Sequence, residues 1–305
     1  MTQDRELQRV ISVMITAGFQ VSERFSMRPR SFDLIASRGA TLIVIKVVSH
    51  IDSVGEEVAR DLSLIAKYLG AIPMIIGERA RDSDLERGAV YIRYGIYAIS
   101  IATLYDYFVE KIPPLVYASP GGLYVNIDGS ALRDLREHRN MSLGELGQVL
   151  GVSRRTISKY ESGMGTTLDI AVRIEEFFND GVVMAIDLLE RALEKEKAAE
   201  QEEETVPIRF LEQIGMELHA LRRSPFQLLM TYNGETILTA YGTAQKTVKR
   251  ASLIGNISQV TRTHAMCVLT DYTKQKKIGK TLVIGEQALT RIEHGSDLLR
   301  LVSDS

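Results

Sequence analysis

Near the middle of the chain, Ser153-Arg154-Arg155-Thr156-Ile157-Ser158-Lys159 gathers three cations and three hydroxyls into two helical turns. Such a set grips a polyanion; it does not break bonds. An arginine can make two hydrogen bonds to a phosphate or to the O6 and N7 edge of guanine, and a lysine serves phosphate as a point charge. Ser153, Arg154 and Arg155 would open the helix where its N-terminal end meets a groove. Lys159 lies one turn further along the same face, and Thr156 and Ser158 can reach bases or phosphates. Asp33 and Lys46, in two strand-like runs, form a second candidate set. Elsewhere little could react. The five histidines are scattered in sequence, no glycine-rich phosphate loop occurs, and the single cysteine, Cys267, lies in an apolar run where a thiol usually serves packing. No metal site and no cofactor are expected.

The elements that would position the cations are legible around them. Leu143, Leu146, Gly147 and Leu150 recur at three-and-four spacing, one apolar helix face. Gly147 on that face lets a second helix pack close. Gly151 suits a left-handed stop, Val152 can plug the corner, and Ser153 is a good N-cap for a helix from Arg154 to about Ser162. Ile157 and Tyr160 point inward, and Gly163 ends the helix. The pattern is a helix-turn-helix, and it resembles the Cro-like phage-repressor class. Gly147, the run Gly151 to Lys159, Glu161 and Gly163 carry the resemblance. Residues 131–178 cover that class's domain, with a first helix bearing Leu132, Leu135 and Arg136 and a last helix, Leu168 to Phe178, capped by Thr167. Two positions depart from the class: Leu143 replaces a polar phosphate contact, and Gly147 replaces an alanine. The resemblance implies double-stranded DNA as partner, a homodimer reading two half-sites, and an ion pair between Arg136 and Glu161.

With 305 residues the chain has room for two or three domains. It is 45% hydrophobic and 25% charged, an ordinary globular balance, with a net charge of −2. It is no polycation, so nucleic-acid binding must rest on a local patch. No stretch approaches the roughly 20 apolar residues of a membrane span, and the N-terminus lacks a secretory pattern, which predicts a cytoplasmic protein.

Leu7, Val10, Ile11, Met14 and Ile15 fall on one face of an opening helix that ends at Gly18. The runs at 31–37 and 41–48 predict two strands around Arg38-Gly39, the second apolar enough to be buried on both faces. A helix through Val58, Leu62, Ile65 and Leu69, a strand at 71–76, a loop at 81–88, one or two strands at 90–100 and a helix at 101–110 complete a layered α/β domain. This domain resembles the PD-(D/E)xK nuclease-like fold on Asp33 and Lys46. In that family an aspartate on one strand and an acid-x-lysine on the next converge on Mg²⁺, and metal and lysine prepare water to attack a phosphodiester. Here the acid position is Val44, so Asp33 and Lys46 are expected to be vestigial, with Glu56 or Glu57 on the next helix as candidates for a replacement ligand.

Residues 113–128 predict a linker ending in a small hairpin at Pro120-Gly121-Gly122. A helix from Met184 to Glu204 is expected to close at Pro207. The last hundred residues read as a second copy of the first domain: a helix through Leu211, Ile214, Leu218 and Leu221, a hairpin at Asn233-Gly234, a helix over 247–259, a strand at 265–270 and a run at 281–289. In that alignment Phe226 matches Phe32, Ala265 matches Ala71, Gly285 matches Gly95, and Gln227 and Ala240 stand opposite Asp33 and Lys46. The expected organisation is multi-domain, α/β plus all-α. A nuclease-like domain at 1–112, a linker at 113–128, a Cro-like domain at 129–180, a helical linker at 181–206 and a second nuclease-like domain at 207–305 place the helical bundle between two layered domains. The whole chain resembles the archaeal helix-turn-helix transcriptional regulators. That resemblance implies sequence-specific DNA binding without enzymatic activity; the alternative is a metal-dependent nuclease targeted by its helix-turn-helix.

Overall fold

A computed structural model describes residues 2–24, 30–81, 83–190, 206–272 and 275–304. Helix α1 (Thr2–Thr16) buries Leu7, Val10 and Met14, and the chain leaves it through Gly18 at φ +82°. Strands β1 (Gln20–Val21), β2 (Leu34–Arg38) and β3 (Thr41–Val47) follow; every residue of β3 after Thr41 is buried, as its continuous apolar run requires. Helix α2 (Glu56–Tyr68) leads to β4 (Ile72–Ile76). The stretch read as a loop contains the short strand β6 (Ser83–Asp84), which pairs with β5 (Arg79–Ala80) just before that stretch. Next come β7 (Ala89–Arg93), β8 (Ile96–Ile99) and α3 (Ile101–Tyr105), which runs on as a wider helical turn to Glu110.

The middle of the chain holds β9 (Val116–Ser119), β10 (Gly122–Ile127), α4 (Gly129–His138), α5 (Leu143–Leu150), α6 (Arg154–Tyr160), β11 (Thr166–Thr167), α7 (Leu168–Phe178) and β12 (Val183–Met184). Met184 thus ends a strand, and 185–190 are not helical; the rest of the helix expected to Glu204 lies outside the described residues. Helix α8 (Val206–Gln213) begins with Pro207 in its first turn, a position where a missing N–H costs nothing, so Pro207 opens a helix instead of closing one. Gly215, at φ +89°, stops it. Leu218 therefore sits in strand β13 (Glu217–Ala220) and Leu221 just past it, not on the expected helix. The fold then runs β14 (Leu228–Tyr232), β15 (Glu235–Gly242), α9 (Ala244–Thr261), β16 (His264–Leu269), β17 (Gln275–Ile278), β18 (Thr281–Gly285), α10 (Glu286–Leu289) and α11 (Gly295–Ser303).

The chain forms two compact units. One comprises Met1–Ile76, Arg93–Ile96 and Ala192–Ser305; the other comprises Gly77–Ile92 and Tyr97–Arg191. In the first unit β1, β2 and β3 are successively antiparallel, and β4 joins β3 in parallel. A second sheet, ordered β13-β14-β15-β16-β18-β17, starts with the same senses: antiparallel, antiparallel, parallel. Leu34 faces Ile45 across β2 and β3; Leu228 faces Thr239 across β14 and β15, each 194 residues on. The offset changes at the next strand. Ile43 faces Ile72, whereas Ile237 faces His264, so Ala265 corresponds to Pro73 and not to Ala71. Gly285 ends a strand, while Gly95 follows β7 in a turn at φ +72°; the comparable turn after β17 holds Gly279 at φ +58°.

The two sheets of this unit meet reciprocally: α2 touches β14 and α9 touches β2. Between them Phe32 and Phe226, both fully buried, approach with ring centroids 6.1 Å apart. The buried Asp61 Oδ2 accepts from Ser31 Oγ at 2.7 Å and from the backbone N–H groups of Arg222 and Arg223 at 3.1 and 2.9 Å. Tyr68 stacks on His219 at 3.6 Å.

Candidate nucleic-acid interface

The second unit builds a helical head around one small core: Ile127, Leu132, Leu146, Leu150, Ile157, Tyr160, Ile174, Phe178 and Val182. Local chemistry fixes its central turn. Ser142 and Glu145 form a reciprocal capping box at the start of α5, with Glu145 N to Ser142 Oγ at 3.2 Å and Ser142 N to Glu145 Oε2 at 2.7 Å. Gly151 ends α5 at φ +72°. A Cβ on Gly147 would stand 2.7 Å from the Val152 carbonyl oxygen, so no larger residue fits where α6 starts against α5. Ser153 caps α6: its Oγ accepts from Thr156 N at 3.1 Å and lies 2.8 Å from Thr156 Oγ1. Ile157 and Tyr160 face inward, and Thr166 Oγ1 donates to the Tyr160 hydroxyl at 2.8 Å.

What remains outside is the candidate surface. Ser153, Arg154, Arg155, Ser158 and Lys159 are exposed and Thr156 half-buried. Ser153 and Thr156 already hold each other in the cap, so the uncommitted chemistry of α6 is Arg154, Arg155, Ser158 and Lys159. The other cations of the head are mostly engaged. Arg136 Nε donates to Glu161 Oε1 at 2.5 Å, its Nη2 to Oε2 at 3.1 Å and its Nη1 to the Met141 carbonyl at 2.8 Å. Arg133 Nε reaches Glu161 Oε2 at 3.4 Å, and Arg139 lies over the Phe177 ring and donates to the Phe178 carbonyl. The expected pair of Arg136 and Glu161 is thus present and nearly enclosed. Sequence reasoning missed Arg133 as its third member, a half-exposed arginine whose only signal is its place three residues before Arg136. It also missed that the supposed linker hairpin is built into the head: β10 pairs with β9, with β11 between α6 and α7, and with β12 after α7. Asp128, at the end of that hairpin, caps α4 by accepting from Ser130 N and Ala131 N at 3.0 Å.

Asp33 and Lys46, in the first unit, are together but closed. Asp33 Oδ1 accepts from the Arg30 guanidinium, while its Oδ2 accepts from Val47 N at 2.7 Å and lies 3.3 Å from Lys46 Nζ. Lys46 Nζ donates to the Arg30 carbonyl at 2.8 Å, and all three side chains are buried. Arg30 supplies the positive charge that a divalent cation would bring. Val44 is buried and offers no side-chain oxygen; Glu56 is exposed and Glu57 pairs with Arg222 and Arg223. These residues do not fit Mg²⁺, which demands several oxygen ligands in near-octahedral array. Among the described residues no group of three or more histidine, cysteine, aspartate or glutamate side chains could hold a metal ion, and no helix is long and apolar enough to cross a membrane. At the matching place in the second sheet, Gln227 Oε1 accepts from Tyr241 N at 3.1 Å and its Nε2 donates to Tyr241 O at 3.0 Å.

Residues 3–114 match the model of a PD-(D/E)XK superfamily domain, and residues 132–179 match that of a helix-turn-helix. No solved structure matches the chain. Three archaeal relatives bear the name "Putative HTH-type transcriptional regulatory protein". That of Methanoregula boonei is 66% identical over 307 residues, covering 100% of this chain and 97% of its own. That of Methanosphaerula palustris is 64% identical over 304 residues, covering 99% of each. That of Methanococcoides burtonii is 41% identical over 318 residues, covering 100% of this chain and 98% of its own. With a helix-turn-helix head, a PD-(D/E)XK superfamily domain and relatives matched end to end, the chain belongs to this archaeal family of HTH-type transcriptional regulatory proteins.

Proposed function

We propose that the protein binds specific sequences of double-stranded DNA and regulates transcription through a Cro-like reading head, without cleaving the DNA. The observation that carries this is the exposed outer face of α6, where Arg154 and Arg155 in the first turn and Lys159 in the last stand clear on a helix whose cap and core face inward. Arg154 and Arg155 are the candidates for base edges; Lys159 and Ser158 are suited to phosphate, with Ser153 and Thr156 presenting the helix end. One such helix covers a short half-site, so a homodimer would set two of them in successive major grooves about 34 Å apart. The nuclease-like part then serves as scaffold. Residues 207–305 are best read as a second copy of residues 1–112: strand senses, the register of Leu34 and Leu228, and the pairing of Phe32 with Phe226 all follow from that reading. In both copies the position of Asp33 and Gln227 ties one strand to the next, a structural duty that needs no metal.

Recovering bound fragments from genomic DNA would yield the operator, and titrations of matched and mismatched sites would test the assignment. Alanine at Arg154 or Arg155 should cost about 1–3 kcal/mol and relax preference at one base position per half-site. Lys159→Ala should weaken all sequences alike. A triple alanine variant with wild-type affinity and preference would overturn the reading.

A further inference from the structure

We infer that the second α/β half of the first unit carries a DNA-backbone contact surface of its own, formed by α9 and the β17–β18 hairpin. The argument starts from charge. Residues 129–180, which hold the reading head, carry seven lysines and arginines against eight acids, so the head has no net attraction for a polyanion. Phosphate contacts nevertheless supply the bulk of non-specific DNA affinity. Residues 206–304 carry thirteen lysines and arginines against eight acids. The excess is not spread evenly. Helix α9 contains Lys246, Lys249 and Arg250 and no acidic residue, and the hairpin from Gln275 to Gly285 contains Lys276, Lys277 and Lys280 and none either.

Geometry joins the two. Helix α9 packs across β17 and β18, and between helix and hairpin turn lies an open polar cleft of about 560 Å³. One stripe of α9 lines it, Ser252, Asn256 and Gln259 at helical spacing, facing Lys277 and Lys280. Lys249 stands one turn before Ser252 on the same side. Gly255 keeps the floor low, because a Cβ there would meet Thr281 Oγ1 at 2.8 Å. Glu23 is the acid at the rim, and its backbone N–H donates to Asn256 Oδ1 at 2.6 Å. The lining side chains offer two amides, a hydroxyl, two ammonium groups and the single carboxylate of Glu23, with no aromatic or aliphatic side chain among them. The cleft therefore lacks what encloses a small molecule or stacks a base, and suits a run of phosphates passing over it.

The inference shares with the proposed function the claim that DNA is the partner, but the two fail separately. The probe is a short duplex of scrambled sequence, titrated with the full-length chain over a series of sodium chloride concentrations. The comparison is wild type against Lys249→Gln/Lys277→Gln/Lys280→Gln, and against Lys249→Gln/Lys280→Gln, which spares the bond from Lys277 to the Asp304 carbonyl. These are exposed side chains, so the melting temperature should hold. Each phosphate contact adds about 0.9 to the slope of log affinity against log salt. The triple variant should flatten the slope by about 2–3 and bind roughly 100-fold more weakly at low salt, on scrambled and operator duplexes alike. An unchanged slope overturns the inference while leaving the reading head intact, including the outcome in which the lysines only guard edge strand β17 and the variant self-associates. The Arg154, Arg155 and Lys159 triple alanine variant separates the cases: it should lose sequence preference yet keep the part of the slope that depends on α9 and the hairpin. A chain that binds no duplex overturns both.

Discussion

Replacing Glu161 by alanine removes the buried carboxylate that Arg136 and Arg133 share in the helical head. Its side chain is 6% exposed and that of Arg136 11%, whereas Arg133 is 53% exposed. Removing one partner of a buried pair typically costs about 3–5 kcal/mol, because the other charge is left without compensation. Arg136 retains the Met141 carbonyl at 2.8 Å and the exposed Glu137 at 3.3 Å, and Arg133 can return to water, so the lower end applies: about 3 kcal/mol. In a unit of this size that lowers a melting transition by on the order of 10 °C or more. The mechanism has a second signature. If the loss comes from stranded charge, Arg136→Met/Glu161→Leu should recover most of it, since an apolar pair of similar volume replaces a buried ion pair at little cost. Calorimetry of the full chain, with hydrogen exchange at Ile157 and Tyr160 to assign the transition, measures both. Glu145→Ala is the reference: Glu145 is exposed and holds only the capping box. Equal shifts for Glu161→Ala and Glu145→Ala, or no recovery in the double variant, would refute the reasoning.

Two further outcomes concern the first unit. Wild-type protein should not nick supercoiled DNA with Mg²⁺ or Mn²⁺, and Asp33→Ala should destabilise by about 3–5 kcal/mol because Arg30 and Lys46 lose their counter-ion; metal-dependent nicking that Asp33→Ala abolishes would sink this. His219, whose Nε2 is buried without a hydrogen-bond partner beneath the Tyr68 ring, has its pKa lowered by burial, which outweighs the upward pull of Glu217 and is joined by a smaller downward push from Lys67. The unfolded chain then binds the proton more readily, so the stability this neutral ring contributes is complete above the unfolded value of about 6.5 and is lost as pH falls from there through the lowered folded value. His219→Phe should keep the stack and remove that loss, which melting curves across this range would register as a smaller acid shift.

The parts legible in the sequence are those set by neighbouring residues. Gly151, Ser153 and Gly163 specify a turn, a cap and a stop within a dozen positions, so the bounds of α5 and α6 could be read directly. Strand β3 announced itself because burial on both faces leaves no polar alternation to miss. The failures share a physical cause: distant partners decide the outcome. Leu211, Ile214, Leu218 and Leu221 fit a helical face, yet Gly215 interrupts them and pairing with β14 turns 217–220 into a strand. Thr166 and Thr167 carry no strand signal of their own; β10 supplies it. Arg30 lies only three residues before Asp33, but the buried cluster they form is set by a distant strand: β3 brings the Val47 N–H and Lys46 onto the same carboxylate.

The pair of Asp33 and Gln227 shows which property of the nuclease-like fold matters here. Both side chains bridge to a backbone 14 residues on, Val47 in one case and Tyr241 in the other. The carboxylate can only accept, so it takes the Val47 N–H and needs cations for its charge, which Arg30 and Lys46 provide. The amide both accepts from and donates to Tyr241, carries no charge and needs no cation, and Ala240 stands where the lysine would be. A position under demand for tying two strands tolerates either, provided charge is balanced locally. The same logic predicts that Asp33→Gln alone fails, because it strands Arg30 and Lys46. Asp33→Gln with Lys46→Ala and Arg30→Met, which copies the uncharged solution of the second sheet, should restore the melting temperature to near that of the wild type. If the single and triple variants melt alike, local charge balance is not what holds this strand pair together.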